Sequence, residues 1–437
     1  MNNRILKNPE LGIIRAALPD DEILTKCIHC GMCLATCPTY DLTKLERSSP
    51  RGRIQLIKAV ADGRLEITPT FIEEMSFCLD CQACETACPA GVKYGRMVES
   101  SRVLIEDTKE NYAIPDIVKK IGLNYILTNN LALRTVAFLM LLIQRSGLQF
   151  LMMKSGFLKI FNKNFNEYLK LLPKMKFKTT RGLLNGVSLK PERSRYKAAF
   201  LSGCIMDVAF SDVNLDTIQF LLKNDCEVFI PEKQVCCGSL HAHNGEMKTA
   251  FALMKKNLDA FSAEDYDYLV SNSAGCGAFM KEYGHLLSDD PVYSIAAGKF
   301  SEKVKDFSEF VHLTDFQTKL RPPDETVTYH DACHLVHSQK VSQEPRQMLA
   351  KIPGIMMENL NESTWCCGSA GIYNVTRYED SMHFLDKKMQ NLKNTRADVV
   401  LTANPGCMLQ IEYGIKKYGL KMRIEHPATF LNRLIKE

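Results

Sequence analysis

The chain has 437 residues, of which 46% are hydrophobic and 24% are charged. These proportions are typical of folded globular proteins and exclude a disordered or collagen-like chain. The length predicts about three domains of ~150 residues each, and the net charge of +5 is too small to indicate binding to nucleic acid. No apolar run reaches the ~18 residues of a membrane-spanning helix, and no secretory cleavage site is recognisable, so we expect a cytoplasmic protein.

The seventeen cysteines are the most informative feature of the composition. An odd number of cysteines in a cytoplasmic chain argues against a disulfide framework, because the reducing interior of the cell keeps thiols free. We therefore expect these residues to serve metal or redox chemistry.

Two stretches near the N terminus share the spacing Cys-x2-Cys-x2-Cys-x3-Cys-Pro. Three thiolates at this spacing surround a compact cluster, and in two-cluster ferredoxins the fourth cysteine binds the other cluster. The pattern predicts two [4Fe–4S] clusters, the first held by Cys27, Cys30, Cys33 and Cys88, and the second by Cys78, Cys81, Cys84 and Cys37. Two structural zinc sites are the alternative, although zinc favours paired Cys-x2-Cys or Cys/His sets.

The 40 residues between the two stretches, 38–77, are too many for a minimal ferredoxin loop. The segment SSPRGRIQLIKAVADGRL has apolar residues at Ile54, Ile57 and Val60, which predicts a capped amphipathic helix that stops at Gly63. We therefore expect the N-terminal segment, residues 1–108, to be helical around its clusters rather than built on a small sheet.

A basic connector, residues 109–195, follows this segment. Residues 111–200 carry 16 lysines and arginines against three acidic residues, a net charge of +13. Within them, RTVAFLMLLIQRSGLQFLMMKSGFLKIF predicts a pair of basic amphipathic helices. Three interpretations stay open: a surface that lies on an anionic membrane, a methionine-rich surface that docks on an acidic partner subunit, or a bundle that covers the N-terminal cluster domain and turns a solvated basic face outward.

The remaining sequence is an internal repeat. Its landmarks recur at offsets of 129 to 131 residues, with Cys204, Cys236, Cys237 and Cys276 in the first copy and Cys333, Cys366, Cys367 and Cys407 in the second. Such long-period similarity indicates duplicated domains. We expect a first lobe over residues 196–320 and a second lobe over residues 321–437.

Short apolar runs precede the single cysteines of each copy, and a glycine-containing turn or a helical pattern follows them. This alternation predicts parallel α/β units, in which sites form outside the carboxyl ends of the strands. Gly238 and Gly368, which follow the cysteine pairs, allow the backbone to approach a bulky cluster. Each lobe therefore offers four thiolates to an iron–sulfur cluster; a redox disulfide and a purely structural role are the alternatives.

Four further residues near these motifs also receive a prediction. Cys226 lies outside the repeated pattern, and we expect it to be a buried residue at a strand edge. His241 and His330 are candidates for hydrogen bonding to the sites or for proton relay, although loop histidines more often make ordinary hydrogen bonds. Trp365 adjoins Cys366, and we expect it to shield that site from water.

These motifs together are recognisable. CIHCGMCLATCPTY, SSPRGRIQLIKAV and CLDCQACETACPAGV resemble the first half of the glycolate oxidase iron–sulfur subunit family, and SNSAGCGAFMKEYG, YHDACHL, CCGSAGIYNVT and NPGCMLQ are similar to its second half. The resemblance covers nearly the whole chain and is weakest over residues 111–195. The small subunit of anaerobic glycerol-3-phosphate dehydrogenase, a lactate-utilisation protein and the cysteine-rich subunit of heterodisulfide reductase share the same plan.

The resemblance implies an electron-transfer subunit that is inactive alone. In the family, an FAD-containing flavoprotein oxidises glycolate or D-lactate, and the iron–sulfur subunit carries electrons toward a membrane quinone. We thus expect a cytoplasmic protein, with peripheral attachment to the inner face of the cytoplasmic membrane as an open alternative. Consistently, the sequence has no GxGxxG fingerprint after a strand and no P-loop, so we expect no FAD or NAD on this chain.

One departure from the relatives concerns the end of each repeat. Heterodisulfide reductase relatives have a fifth cysteine where this chain has Ser273 in the first lobe and Asn404 in the second. Disulfide reduction of the heterodisulfide type is therefore doubtful. The alternative function is a subunit of the heterodisulfide reductase or glycerol-3-phosphate dehydrogenase kind, with a redox-catalytic cluster in a lobe.

Overall fold

The computed structural model describes residues 21–156 and 163–436. In the described part of the N-terminal segment every regular element is helical: α1 (Asp21–Thr25), α2 (Pro38–Thr43), a 3₁₀ turn (Glu46–Ser48), α3 (Pro50–Ala61), α4 (Pro69–Phe77), α5 (Ala83–Thr86) and α6 (Tyr94–Asp107). The predicted amphipathic helix is α3, which begins after Ser49 because that side chain accepts a hydrogen bond from the Gly52 amide and Pro50 suits the first helical position. Its buried face carries Ile54, Ile57 and Val60.

The connector is helical as well. It contains α7 (Ile114–Ile121), a π-helical turn (Gly122–Ile126), α8 (Asn130–Arg145), α9 (Leu148–Ser155), α10 (Phe165–Leu171) and α11 (Thr180–Leu183). The predicted helical pair corresponds to α8 and α9, and its last part, residues 157–162, lies outside the described residues. Among the described helices no single one is long and apolar enough to cross a membrane; the bent pair Ile114–Ile126 and Asn130–Arg145, at 118°, meets the length and composition criteria together.

Each lobe contains a four-stranded parallel sheet. The first lobe has β1 (Tyr196–Phe200), β2 (Cys226–Phe229), β3 (Tyr268–Ser271) and β4 (Val304–Asp306) in the order β2-β1-β3-β4. The second has β5 (Thr326–Tyr329), β6 (Met356–Glu358), β7 (Val399–Leu401) and β8 (Arg423–Glu425) in the order β6-β5-β7-β8. The identical order reflects the repeat in the sequence, and the predicted combination of a helical N-terminal segment with two parallel α/β lobes is confirmed.

Helices cover both sheets. Those of the first lobe are α12 (Ile205–Ala209), α13 (Ser211–Lys223), α14 (Ser239–His243), α15 (Met247–Phe261), α16 (Ala274–Lys281), α17 (Tyr283–Leu286), α18 (Ser294–Lys303) and α19 (Phe307–Thr314). The second lobe has a π-helical turn (His334–Ser338), α20 (Glu344–Ala350), α21 (Tyr373–Thr376), α22 (Tyr378–Lys393), α23 (Pro405–Tyr418) and α24 (Pro427–Asn432).

The two lobes share one hydrophobic core. Side chains of β1, β3, β5 and β7, among them Phe200, Val270, Val327 and Leu401, belong to a single buried cluster that crosses the boundary between the lobes. The Ala274 amide also donates a hydrogen bond to the Ala403 carbonyl, so the starts of α16 and α23 lie side by side. The carboxyl ends of the central strands are therefore held in a fixed relation.

The N-terminal segment packs against both lobes. Arg102 of α6 donates to the carbonyl of His243 at 2.9 Å and to that of Cys78 at 2.6 Å. On the other side, Tyr373 donates to the Phe77 carbonyl at 3.1 Å. These contacts fix the segment after α4, which carries three of the predicted cluster ligands, between the two lobes.

Candidate metal centres

The first predicted cluster site is a surface cavity formed by both cysteine stretches. Its lining includes Cys27, Cys30 and Cys33 from the first stretch and Cys88 from the second, and Cys84 of the other predicted set reaches it as well. Burial raises the pKa of Cys33 to about 11, while Cys30 is exposed. The chain therefore brings together the four thiols that the swapped ferredoxin pattern assigns to one cluster.

The second predicted site is buried. Cys37, Cys78, Cys81 and Cys84 all lie in the interior. Burial raises the pKa of Cys84 well above its usual range, and the three other thiols of this set add to the effect because they are close neighbours. The Asp80 amide and the Tyr94 hydroxyl both donate to the Cys78 sulfur, at 3.4 and 3.5 Å. Hydrogen bonds of this kind tune the reduction potential of a bound cluster.

A buried arginine lies behind this second site. Arg53 of α3 has no exposed surface, and its guanidinium pairs with Glu74 at 3.3 Å and donates to the hydroxyl of Thr39 at 2.9 Å. Thr39 in turn lies 3.2 Å from the Cys37 sulfur. The positive charge is therefore one residue removed from a predicted cluster ligand.

The four thiols of the first lobe also converge. The sulfur atoms of Cys204 and Cys236 are 3.6 Å apart, and Cys237 contacts both Cys236 and Cys276. The connector covers this group, since Leu133 and Ala137 of α8 pack in the same apolar cluster as Cys204 and Cys236. This cover is a solvent shield that the basic composition of the connector did not reveal.

The second lobe repeats the arrangement with different surroundings. Cys366 contacts both Cys333 and Cys367, and Cys367 contacts Cys407. The Gly368 amide donates to the Cys366 sulfur at 3.4 Å. Gly368 has a φ of +86°, and a Cβ atom there would lie 2.5 Å from the Ser381 carbonyl, so this turn requires glycine.

Two buried basic side chains adjoin the second-lobe thiols. Burial lowers the pKa of Lys388 to about 8, and its ammonium donates to the Glu362 carbonyl at 2.6 Å. Burial also lowers the pKa of His330 well below its usual range, so its imidazole is neutral. A ring nitrogen of His330 and the sulfur atoms of Cys367 and Cys407 all lie within 4.8 Å of one another.

The other predicted residues lie as follows. His241 hydrogen-bonds the Leu123 carbonyl at 2.8 Å through Nε2, with Cys236 next to it. Cys226 is buried at the start of the edge strand β2. Trp365 is only half-buried, with the Lys387 ammonium 3.5 Å above its ring. The shielding of Cys366 by this tryptophan stays a prediction, and the ring itself is covered by a lysine.

The second N-terminal site and the second-lobe site are direct neighbours. Cys81, Cys333 and Cys366 belong to one apolar cluster, together with Phe77 and Tyr373. Besides burial, the Cys333 thiol is the largest influence that raises the pKa of Cys81. No motif spacing could reveal this contact, because it joins residues more than 250 positions apart.

A charged junction that the sequence reasoning missed lies beside this contact. His243 of the first lobe forms ion pairs with Asp80 at 3.1 Å and Glu99 at 2.8 Å. Although burial opposes the charge, the two carboxylates raise the pKa of His243 to about 10. Its ring also lies 5.0 Å from that of His334, the residue after Cys333. The junction therefore ties the N-terminal segment to both lobes.

The two positions where relatives carry a fifth cysteine have structural partners here. Asn404 donates to the Cys407 sulfur at 3.5 Å and accepts from the Gly275 amide at 3.2 Å, so it links a predicted ligand to the other lobe. Ser273 is buried, and its amide donates to the Ser271 hydroxyl. The polar residues thus replace a possible ligand with a hydrogen bond.

The donor chemistry fits iron–sulfur clusters. All seventeen cysteines are free thiols, and sixteen of them are collected in four groups of four. Several of these thiols are buried with raised pKa values, so bare thiolates would be costly in these places. A positively charged metal centre offsets that cost, and soft thiolate sets select iron–sulfur clusters or zinc.

Comparison with known proteins identifies the parts of the chain. Residues 23–92 match a family described as 4Fe-4S dicluster domain, and residues 198–281 and 327–412 each match the cysteine-rich domain family. Residues 115–172 match the linker region of the glycolate oxidase iron-sulfur subunit. Fold and sites together define an iron–sulfur protein with a ferredoxin-type dicluster domain and duplicated cysteine-rich domains.

Full-length relatives specify the family. The chain is 41% identical to the "Probable glycolate oxidase iron-sulfur subunit" of Bacillus subtilis (strain 168), over 94% of each chain, and 29% identical to the Escherichia coli (strain K12) glycolate oxidase iron-sulfur subunit, over 90% of this chain and 91% of the relative. It is 30% identical to lactate utilization protein A of Bacillus cytotoxicus, over 54% of this chain and 98% of that relative. The chain belongs to the family of glycolate oxidase iron–sulfur subunits.

Proposed function

We propose that this chain is the electron-transfer subunit of a 2-hydroxyacid dehydrogenase complex, which oxidises glycolate or D-lactate on a separate FAD-containing subunit. The names of the relatives support the complex, and the relatives most similar over the full length favour glycolate. The chemistry of hydroxyacid oxidation then belongs to the flavin of the partner. This chain provides the sites for one-electron carriers, with a membrane quinone as the final acceptor.

The proposed ligand sets follow the four groups of thiols. Cys27, Cys30, Cys33 and Cys88 hold one [4Fe–4S] cluster, and Cys37, Cys78, Cys81 and Cys84 hold the other. The thiols of each lobe hold a further cluster. When bound, such clusters accept and release single electrons. The residues of this chain keep the groups close, shield three of them from water, and supply hydrogen bonds and charges around the sulfur atoms.

The observation that carries the proposal is the contact between Cys81 and the thiols of the second lobe. Cys81 shares an apolar cluster with Cys333 and Cys366, so two redox centres would be adjacent without intervening solvent. The first N-terminal site, by contrast, opens to the surface at the exposed Cys30. A series of cluster sites that is exposed at one end and buried at the other suits a chain that receives electrons from a partner.

The test is rapid mixing of the anaerobic full chain with its flavoprotein partner and hydroxyacid. We expect the visible absorbance of the iron–sulfur clusters to bleach when both partner and substrate are present. Without the partner, this chain should not oxidise the hydroxyacid. A Cys30→Ser variant should slow the bleaching, because it alters the exposed cluster. Oxidation of hydroxyacid by this chain alone, or clusters that stay oxidised while the flavin is reduced, would contradict the proposal.

The connector supports peripheral attachment to a membrane. In α7, Ile114 and Val118 are 78% and 63% exposed, and Leu131 at the start of α8 is 75% exposed. Lys119 lies in the last turn of α7 beside these residues, and no ion pair of its ammonium is found among the described residues, so this part of the connector combines exposed apolar side chains with a positive charge, the two features that bind anionic lipid surfaces. The contacts of α8 with the first lobe involve other side chains, so Ile114, Val118 and Leu131 stay exposed in the described part of the chain.

Sedimentation with anionic lipid vesicles tests the attachment. We expect the full chain to bind vesicles that contain phosphatidylglycerol, and a Val118→Asp variant to bind at least tenfold more weakly. Ile295 of the first lobe is 74% exposed and far from the connector in sequence, so Ile295→Asp is the matched control and should bind as the wild type does. Equal binding by both variants would refute the connector as the attachment surface.

A further inference from the structure

The side chain of a buried histidine in the second lobe takes no part in the hydrogen-bonding network of the described residues. His330 is 1% exposed, and neither of its ring nitrogens has a hydrogen-bond partner among the described residues. The Ser363 carbonyl approaches the ring, but neither ring nitrogen makes a hydrogen bond of good geometry with it, and this carbonyl accepts from the Asp331 amide and the Lys388 ammonium. Burying an imidazole in this way costs free energy unless something else binds it.

The surroundings of the ring indicate what that partner is. A ring nitrogen of His330 and the sulfur atoms of Cys367 and Cys407 lie within 4.8 Å of one another. Three donor atoms at this separation, two of them thiols of a predicted cluster, converge on a single point. A neutral imidazole is a common metal ligand.

The first lobe lacks this histidine at a place where its backbone is the same. His330 and Leu201 each lie three residues before the first cysteine of their lobe, directly after β5 and β1. The His330 amide donates to the Leu401 carbonyl of β7, as the Leu201 amide donates to the Val270 carbonyl of β3. Because the backbone positions match, the difference between the lobes is one of side-chain chemistry alone.

A second difference between the lobes also places a nitrogen-containing side chain near the thiols of the second lobe. Asn257 of α15 follows Cys237 by 20 residues and Lys388 of α22 follows Cys367 by 21, and both side chains are fully buried. Asn257 is neutral and donates to the Cys236 carbonyl, whereas Lys388 brings an amine whose positive charge faces the thiols of its lobe. The second lobe therefore differs from the first by an added nitrogen donor and an added cation.

We propose that His330 binds iron directly in the second lobe, so that this lobe holds its cluster with one imidazole in addition to its four cysteine thiolates, while the first lobe, with Leu201 at the matching position, offers its four thiolates alone. The proposal rests on the proposed iron–sulfur function of the lobes. The imidazole adds no negative charge to the site, and the buried Lys388 ammonium, which the first lobe lacks, adds a positive charge that favours the reduced cluster. The second-lobe cluster should therefore have a higher reduction potential than the first-lobe cluster.

Pulsed EPR of the anaerobic, reduced full chain labelled with ¹⁵N-histidine tests the ligation. We expect a strongly coupled imidazole nitrogen in the wild type, and we expect this coupling to disappear in His330→Leu, which installs the residue of the first lobe. His330→Cys should keep the iron content of the wild type, lose the nitrogen coupling and lower the potential of one cluster. His312→Leu, at an exposed position of α19, is the control and should leave coupling and potentials unchanged.

The outcomes distinguish ligation by His330 from the presence of clusters in the lobes. A chain with full iron that shows no strongly coupled nitrogen, or whose coupling survives in His330→Leu, overturns the ligation by His330 while leaving the iron–sulfur function intact. Lobes without iron in the wild type overturn the proposed function of the lobes instead. If His330→Leu fails to fold, His330→Cys decides, because a thiolate preserves the ligand number.

Discussion

The buried arginine behind the second N-terminal site allows a quantitative test of how that site is supported. In an Arg53→Met variant, the apolar stem is retained and the charge is removed. Arg53 pairs with the Glu74 carboxylate and donates to the Glu74 carbonyl at 2.8 Å, and both lie in the interior. Breaking one partner of a buried ion pair costs about 3–5 kcal/mol.

The surroundings of Glu74 place the expected loss at the lower end of that range. After the substitution, Glu74 keeps its ion pair with the partly exposed Arg47 at 3.0 Å and a hydrogen bond from Ser48 at 3.1 Å. We therefore expect the free energy of unfolding to fall by about 3 kcal/mol. Loss of the positive charge should also lower the potential of the cluster bound by Cys37 and Cys78.

The assay is anaerobic urea unfolding, followed by circular dichroism and by cluster absorbance, with potentials from a redox titration. Arg64→Met is the matched control, because Arg64 is 61% exposed and its pair with Asp62 should be worth less than about 1 kcal/mol. A double variant with Glu74→Gln should recover part of the loss. An Arg53→Met variant that unfolds at the same urea concentration as Arg64→Met, with unchanged potentials, would refute this reasoning.

Three further predictions concern the lobes and their junction. His243→Gln removes the cation that Asp80 and Glu99 share, so we expect faster hydrogen exchange over residues 78–102 without loss of exchange protection in β1. Gly368→Ala introduces a Cβ atom 2.5 Å from a carbonyl oxygen at a φ of +86°, whereas the nearest contact in Gly238→Ala is 3.1 Å to a side chain. Gly368→Ala should therefore lower the iron content of the second lobe by more than Gly238→Ala lowers that of the first lobe. Burial raises the pKa of Asp306 to about 6, so the wild type loses stability as the pH rises from the ordinary aspartate pKa to about 6, and little further above it. The stability of Asp306→Asn relative to wild type should therefore grow by about 1 kcal/mol between pH 5 and 7.5, most of it below pH 6.5.

Each of these predictions has a result that contradicts it. Hydrogen exchange over residues 78–102 that is as slow in His243→Gln as in the wild type would mean that the ion pairs do not hold the junction. Equal iron retention in the two glycine variants would show that the turn at Gly368 can relax. A stability difference for Asp306→Asn that stays constant with pH, measured by urea midpoints, would mean that the carboxyl group does not titrate in this range in the folded chain.

The sequence predicted those features that depend on local spacing. The repeat of Cys204 at Cys333 and the apolar runs before them predicted two matching parallel sheets, because strand period and strand ends are local properties. Likewise Ser49 and Pro50 marked the start of α3. The grouping of Cys88 with the first cysteine stretch is a prediction of the ferredoxin pattern that the cavity geometry supports.

Other features depend on contacts between distant parts of the chain. Arg53 and Lys388 lie at the helical spacing of the apolar faces of α3 and α22, but their charges favour solvent, and only the partners supplied by tertiary packing allow their burial. His243 pairs with Asp80 across 163 positions, which no motif records. His330 was recognisable as a histidine near a site, but its unpaired nitrogens and its approach to Cys407 are properties of the folded lobe.

The central claim is that the eight N-terminal cysteines hold two [4Fe–4S] clusters. The most direct measurement is iron, zinc and sulfide analysis of the anaerobically purified full chain, with EPR after reduction by dithionite. We expect at least about eight iron atoms and eight sulfides per chain, as two clusters of four require, and about four fewer of each in a Cys84→Ala variant. Stoichiometric zinc with no iron, and no EPR signal after reduction, would contradict it.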